Sequence, residues 1–238
     1  MDIYYNFRIG DKIEFGREYM LSQKPDLVIS DLKKTTEGVV WDRYRQCPAG
    51  MDFFKNLFLV RSVGNVKINH FTNPNEGARI VTDRDTEFFD RTFYIQEYEE
   101  NNQVVQFTWY WTFFAEKDIE MSVMPAFMHK NSFTQNTINL PGKLNIHKWF
   151  RATQPGFVLK SDEVNIKAND PMFYLKFHTD EKINFKEFVW TEKLANYADE
   201  CINVKYTSEK LGMNKLYNLF TRKNFHKKVL TELKKNTV

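Results

Sequence analysis

From Val104 to Ala115 the chain runs Val-Val-Gln-Phe-Thr-Trp-Tyr-Trp-Thr-Phe-Phe-Ala, with six aromatic rings in twelve residues. Successive side chains of an extended strand point to opposite faces. Phe107, Trp109, Trp111 and Phe113 therefore fall on one face, and Tyr110 and Phe114 on the other with Thr108 and Thr112. Four large rings on one face make an adhesive patch if left in water, so that face is predicted to be core. The second face is expected to meet a sheet or a helix rather than to serve as a stacking platform for a ligand. The supply of rings is not confined to this run. Aromatics make up 16% of the chain, 22 of them Phe, and each buried ring removes roughly 150–250 Å² from water.

The surrounding sequence repeats the strand signal. Ile3–Arg8, Leu57–Val60, Val66–Phe71, Ala78–Thr82 and Thr92–Tyr98 precede the run. Ile119–Pro125, Lys148–Gln154, Phe157–Lys160, Val164–Lys167, Met172–His178 and Ile183–Val189 follow it. Asn101-Asn102 predicts a hairpin turn into the aromatic strand, and Asn169-Asp170-Pro171 a turn before the later one. Short strands separated by turn residues indicate an antiparallel sandwich rather than βαβ units. Residues 10–46 read as irregular, Cys47-Pro48 as the entry to a short helix stopping at Asn56, and residues 130–136 as a polar loop. Beyond Trp190 the apolar period becomes helical. Thr191 is a plausible N-cap for a helix with Leu194, Ala198, Cys201 and Ile202 on one face, broken at Gly212. A second helix is predicted over residues 213–235, with Leu216, Leu219, Phe220, Val229, Leu230 and Leu233 docked and its lysines in water. The fold class is thus mainly β (α+β): an antiparallel β-sandwich or β-clip-like core over residues 1–190, closed by a two-helix C-terminal appendage over 191–238 that packs on it.

Charge is distributed unevenly. Net charge is +3 overall, yet residues 205–238 carry nine Lys/Arg against Glu209 and Glu232. Lys215, Arg222, Lys223, Lys227, Lys228, Lys234 and Lys235 form a possible basic contact surface, and nucleic acid could meet it through nonspecific phosphate attraction. A solvated lysine face on a packed helix is the simpler reading. Cys47 and Cys201 have no paired spacing, which argues against a disulfide framework or a zinc module. No signal-like N-terminus and no membrane-length apolar stretch occurs, so a cytoplasmic protein with no membrane contact is expected.

Motifs for chemistry are sparse. His178-Thr-Asp180 has the His-x-Asp form of non-haem iron sites, which require a second, distal histidine. The only one downstream is His226, in the basic helix, so His178 and Asp180 are the sole metal candidates and are predicted to hold none. His70, His129 and His147 share no ligand spacing. Cys47 would be a nucleophile if a helix N-terminus lowered its pKa, but a buried structural cysteine is the simpler expectation. The acidic pairs Asp83 with Asp85 and Glu99 with Glu100 read as solvated turns. Nine glycines are scattered singly, with no dinucleotide or P-loop spacing. No catalytic or cofactor-binding residue, and no cofactor, is assigned.

Three segments taken in order carry a resemblance: Cys47-Pro-Ala, Trp149-Phe-Arg151 leading to Pro155-Gly-Phe157, and Ile166-Lys-Ala-Asn-Asp-Pro-Met-Phe-Tyr-Leu-Lys-Phe177. They resemble uncharacterised β-rich proteins of large tailed marine phages related to the T-even group, over about half the chain. The resemblance implies a phage accessory or structural protein in the cytoplasm of an infected host. The late turn and strand are also similar to the closing strand of dUTPase-like folds, but their serine-bearing phosphate motif and catalytic aspartate context are absent. The expectation is a non-enzymatic binding or structural protein, acting through a protein partner or self-association. The alternative is a metal- or nucleotide-dependent enzyme, iron oxygenase-like or dUTPase-like.

Overall fold

The computed structural model describes residues 1–8, 24–35, 46–62, 65–69, 79–81, 93–98, 102–107, 110–207 and 210–238. The aromatic run supplies two strands rather than the single one expected. β7 (Asn102–Phe107) pairs with β6 (Phe93–Tyr98) and β13 (Gly156–Leu159). β8 (Tyr110–Ala115) pairs instead with β1 (Asp2–Arg8) and β12 (Ala152–Thr153). Twelve extended residues span about 40 Å, whereas packed sheets stand only about 10 Å apart. Dividing the run brings Val105 of β7 and Trp111 and Phe113 of β8 into one core. Trp109, and the side chains of Phe107 and Tyr110, lie outside the described residues, as do His70, Asp83, Asp85, Glu99, Glu100 and Asn101.

Two larger sheets face each other. The first has the order β12-β8-β1-β16 (Asn184–Glu187). The second joins β11 (Gly142–Asn145), β9 (Glu120–Pro125), β15 (Pro171–Phe177), β3 (Leu57–Arg61) and β2 (Asp26–Leu27) in that order. Alternation assigns the faces. Ile3, Tyr5, Trp111 and Phe113 of the first sheet meet Phe58, Phe173, Leu175 and Phe177 of the second in the main core. Phe113 lies 6.0 Å from Phe177, and Phe58 4.9 Å from Phe185, centroid to centroid across the layers. Two smaller sheets contribute Val66, Ile68, Val164 and Ile166, and Val105 and Phe157, to the same core. They are β14 (Glu163–Ile166) with β4 (Val66–Asn69) and β5 (Arg79–Val81), and β10 (Thr137–Asn139) with β13, β7 and β6.

Both large sheets are also covered behind. Leu57, Leu59 and Tyr174 pack with Val28 and Leu32 of α1 (Val28–Thr35) and Phe54 of α2 (Pro48–Phe54). Tyr4 and Phe114 pack under α4 (Glu192–Thr207), α5 (Met213–Arg222) and α6 (Phe225–Lys235). The result is a helix–sheet–sheet–helix arrangement, β-rich and largely antiparallel with C-terminal helices, and not a barrel. The second face of the aromatic strand is a helix–sheet contact, with Phe114 beside Phe220 at 6.4 Å.

Several expectations are corrected. Among the described residues the C-terminal region has three helices, because Asn224 adopts φ 52° and ends the run between α5 and α6. Leu219 is 41% exposed rather than docked. β1 and β16 run parallel. The segment read as irregular contains α1, and the polar loop contains α3 (Ser132–Asn136), whose Asn131 side chain accepts from Thr134 N in a reciprocal capping box. The strand expected over Lys148–Gln154 shortens to β12, because Trp149 and Phe150 turn into the core beneath the C-terminal helices.

The short α2 is finished from outside. Lys176 Nζ donates to the carbonyls of Phe53 at 2.8 Å and Lys55 at 2.7 Å, satisfying C-terminal acceptors that a helix leaves open. Asn56 then adopts φ 52°, and its Nδ2 donates to Thr179 O at 2.7 Å and Glu181 O at 3.0 Å. Replacing Asn56 separates the two effects. Asn56→Gly loses only the hydrogen bonds and should cost about 1 kcal/mol, whereas Asn56→Ala adds left-handed strain for a total of about 2–3 kcal/mol. Equal denaturation midpoints for the two variants would contradict this.

Candidate functional site

Trp149 and Phe150 are buried against Phe188, Trp190 and the helices, and Ala152–Thr153 then pairs with β8. Between these anchors Arg151 is held half-buried. It lines a cleft of about 700 Å³. The apolar wall includes Val104, Val123, Leu144 and Val158, with Ile138 and Leu140 at 52% and 41% exposure. Three sheet edges, β10, β11 and β12, meet around it. Gln106, Thr153 and Gln154 supply the polar lining, with Gln106 Nε2 donating to Gln154 O at 3.1 Å.

Among the described residues Arg151 is the one charged residue of that lining. Among the described residues its guanidinium has neither an ion pair nor a hydrogen bond. Burial pulls it below the usual arginine value, opposed by the weak acids Tyr206, Cys201 and Tyr217 nearby. It stays charged, because a guanidinium is not deprotonated in a protein. Lys205 is lowered first by burial and then by Arg151, so the two cations stand close. A cleft of this kind can bind a molecule with an apolar body and a negative group. Among the described residues that line it, Thr153 carries the one hydroxyl and there is no carboxylate, histidine, lysine or cysteine to activate it.

A second cluster has the appearance of a catalytic relay. His129 Nε2 meets Asp31 Oδ2 at 2.8 Å, and His129 Nδ1 meets the Tyr174 hydroxyl at 2.6 Å. Asp31 can only accept, so Nε2 carries the proton and Nδ1 accepts from Tyr174. Arg61 pairs with the other oxygen of Asp31 and donates to Asn169 O at 2.9 Å. Tyr174 is 0% exposed, its hydroxyl also accepting from Met128 N at 3.3 Å. Both ring nitrogens are committed and the hydroxyl is buried, while His129 also lines a small cavity of about 150 Å³ with Phe133 and Thr134. The relay ties α1, β3, β15 and the turn after β9 together. Burial pushes the Tyr174 hydroxyl up, well above the usual tyrosine value.

The metal candidates part company. His178 Nε2 bonds to Ser122 Oγ at 2.7 Å, and Asp180 pairs with Lys55 Nζ at 2.6 Å. His226 lies instead on α6 beside His147, at 5.2 Å between ring centroids. Among the described residues no group of three or more His, Cys, Asp or Glu is placed to hold a metal ion. Cys47 is exposed, contrary to expectation, because it lies just outside the first turn of α2; Cys201 is buried, and burial pushes its thiol up to about 12. Lys215, Arg222, Lys223, Lys227, Lys228, Lys234 and Lys235 are all exposed on or between α5 and α6. Arg151 lies in the segment whose sequence reads as a strand, and nothing in its spacing marks it as a binding residue.

The histidines give the fold a pH dependence. Burial lowers His129 despite Asp31, and burial with His147 and Lys227 lowers His226, from the usual 6.5. Below that value the unfolded chain takes up protons that the folded chain refuses. Stability should therefore fall as pH drops through about 6.5, levelling off below the folded values. The urea midpoint is expected to be lower at about pH 5.5 than at about pH 7.5, less so in His226→Gln. A midpoint that rises on acidification would remove the argument.

No family model matches the chain, and no curated protein does. Among the described residues no helix is long and apolar enough to cross a membrane.

Proposed function

We propose that this is a non-enzymatic binding or accessory protein, in keeping with its resemblance to phage proteins, working in the host cytoplasm. The observation that carries the reading is the cleft among the edges of β10, β11 and β12. Its 700 Å³ falls in the range of ligand sites, and among the described residues its lining is mostly apolar, with no carboxylate, histidine or cysteine. The cluster Asp31–His129–Tyr174 has both imidazole nitrogens committed and is read as a clamp between elements. A protein partner or a second copy could use the same apolar rim at Ile138 and Leu140.

A fragment survey by crystal soaking or NMR tests the reading. Hits are expected among Val104, Ile138, Leu140 and Arg151. Hits concentrated at His178 and Asp180, together with stoichiometric iron that disappears in His178→Ala, would establish the enzyme alternative instead.

A further inference from the structure

We infer that the cleft takes a small organic monocarboxylate with an apolar tail, its carboxylate on Arg151. This rests on the reading of the cleft as a binding site and adds the class of ligand. A charged group held half out of water without a counter-ion is costly, and native proteins rarely leave one so. Among the described residues Arg151 is in that position, lining the cleft with no ion pair, and Lys205 adds to the local positive potential. An anion entering the cleft removes the imbalance.

The number of charges selects the head group. One guanidinium among otherwise neutral lining residues balances one negative charge. Lys205 is exposed and lies outside the lining. A phosphate monoester brings about −1.5 to −2 at neutral pH, more than Arg151 alone neutralises. The planar fork of the guanidinium also matches a carboxylate bidentately. The remaining wall, from Val104 and Val123 to Leu144 and Val158, has no charge and suits an alkyl or aryl tail.

Calorimetric titration of the full chain with octanoate, octan-1-ol and monooctyl phosphate provides the test. Octanoate is expected to bind about tenfold or more tighter than octan-1-ol, the lower end for a hydrogen bond to a charged group. Arg151→Met keeps the stem, and should bring octanoate down to the alcohol's affinity. Ile138→Glu, at an exposed wall position, should weaken both. Equal affinities of octanoate and octan-1-ol for the wild-type chain overturn the inference even if Arg151→Met does not fold. If Ile138→Glu abolishes both in that case, the cleft remains a binding site and only the anion is wrong. Tighter binding of monooctyl phosphate overturns the carboxylate. Octanoate binding untouched by Ile138→Glu places the site elsewhere and overturns the inference outright.

Discussion

A chain cut after Gly212 is expected to lose cooperative folding, not merely charge. α5 and α6 place Leu216, Phe220, Val229 and Leu233 in the outer core. Phe220 lies 5.8 Å from Trp149, and the Tyr217 hydroxyl accepts from Asn145 N at 3.0 Å. Past α6 the backbone returns to the first sheet, where Val189 N donates to Asn236 O at 2.8 Å and Val238 N to Glu187 O at 3.0 Å. Four fully buried apolar side chains are worth about 6–12 kcal/mol before entropy. That is comparable to the roughly 5–15 kcal/mol net stability of a whole domain. The cut also bares Phe114, Trp149, Phe150, Phe188 and Trp190. Circular dichroism melts and light scattering should show an aggregating protein without a sharp transition. Exchanging Lys227, Lys228, Lys234 and Lys235 for Gln should by contrast leave the melting temperature almost unchanged. If the cut chain keeps its transition and loses salt-sensitive binding to DNA or RNA, the helices are a nucleic-acid arm.

Asp31→Ala should be the most damaging single substitution at a polar position. It leaves Arg61 without its carboxylate and His129 Nε2 without its acceptor. Removing one partner of a largely buried pair costs about 3–5 kcal/mol, or a melting point lower by roughly 6–20 °C for a chain of this size. Asp31→Asn keeps an acceptor for His129 and should lose about half as much. Paired with Arg61→Met, the double variant should be less destabilised than the sum of the singles, because the two share one interaction. Strict additivity would mean that the pair contributes nothing.

The aromatic alternation around Trp111 and Phe113 disclosed the core, because period two is a local property that burial then enforces. The helical face of Leu216, Phe220, Val229 and Leu233 was legible for the same reason. The break at Asn224 was not, since nothing in Lys223-Asn224 distinguishes a helix interior from a left-handed stop. α1 was missed because Leu27-Val28-Ile29 has strand composition, and only the tertiary fit of Val28 and Leu32 over Tyr174 makes it a helix. α3 carried a readable signal in the Asn131–Thr134 cap. The relay of Asp31, His129 and Tyr174 was beyond reach, as its members come from elements with no sequence spacing in common. Arg151 is harder still: what marks it is the lack of a partner among the described residues, and a string of residues does not display absences in space.

β1 lies between β8 and β16, with Ile3 opposite Ala115 and Asp2 opposite Asn184. On a ribosome this strand emerges long before either neighbour exists. At about 5–20 residues per second, the interval before β16 appears is on the order of ten seconds. Throughout it β1 lacks its parallel neighbour, and until β8 appears Ile3, Tyr4 and Tyr5, all buried in the finished protein, lack the antiparallel one as well. The central sheet is therefore closed late, by contacts between distant parts of the chain, and such topologies fold slowly. A nascent chain halted between β8 and β16 should be a substrate for chaperones that hold exposed aromatic segments, and a released full-length chain should not.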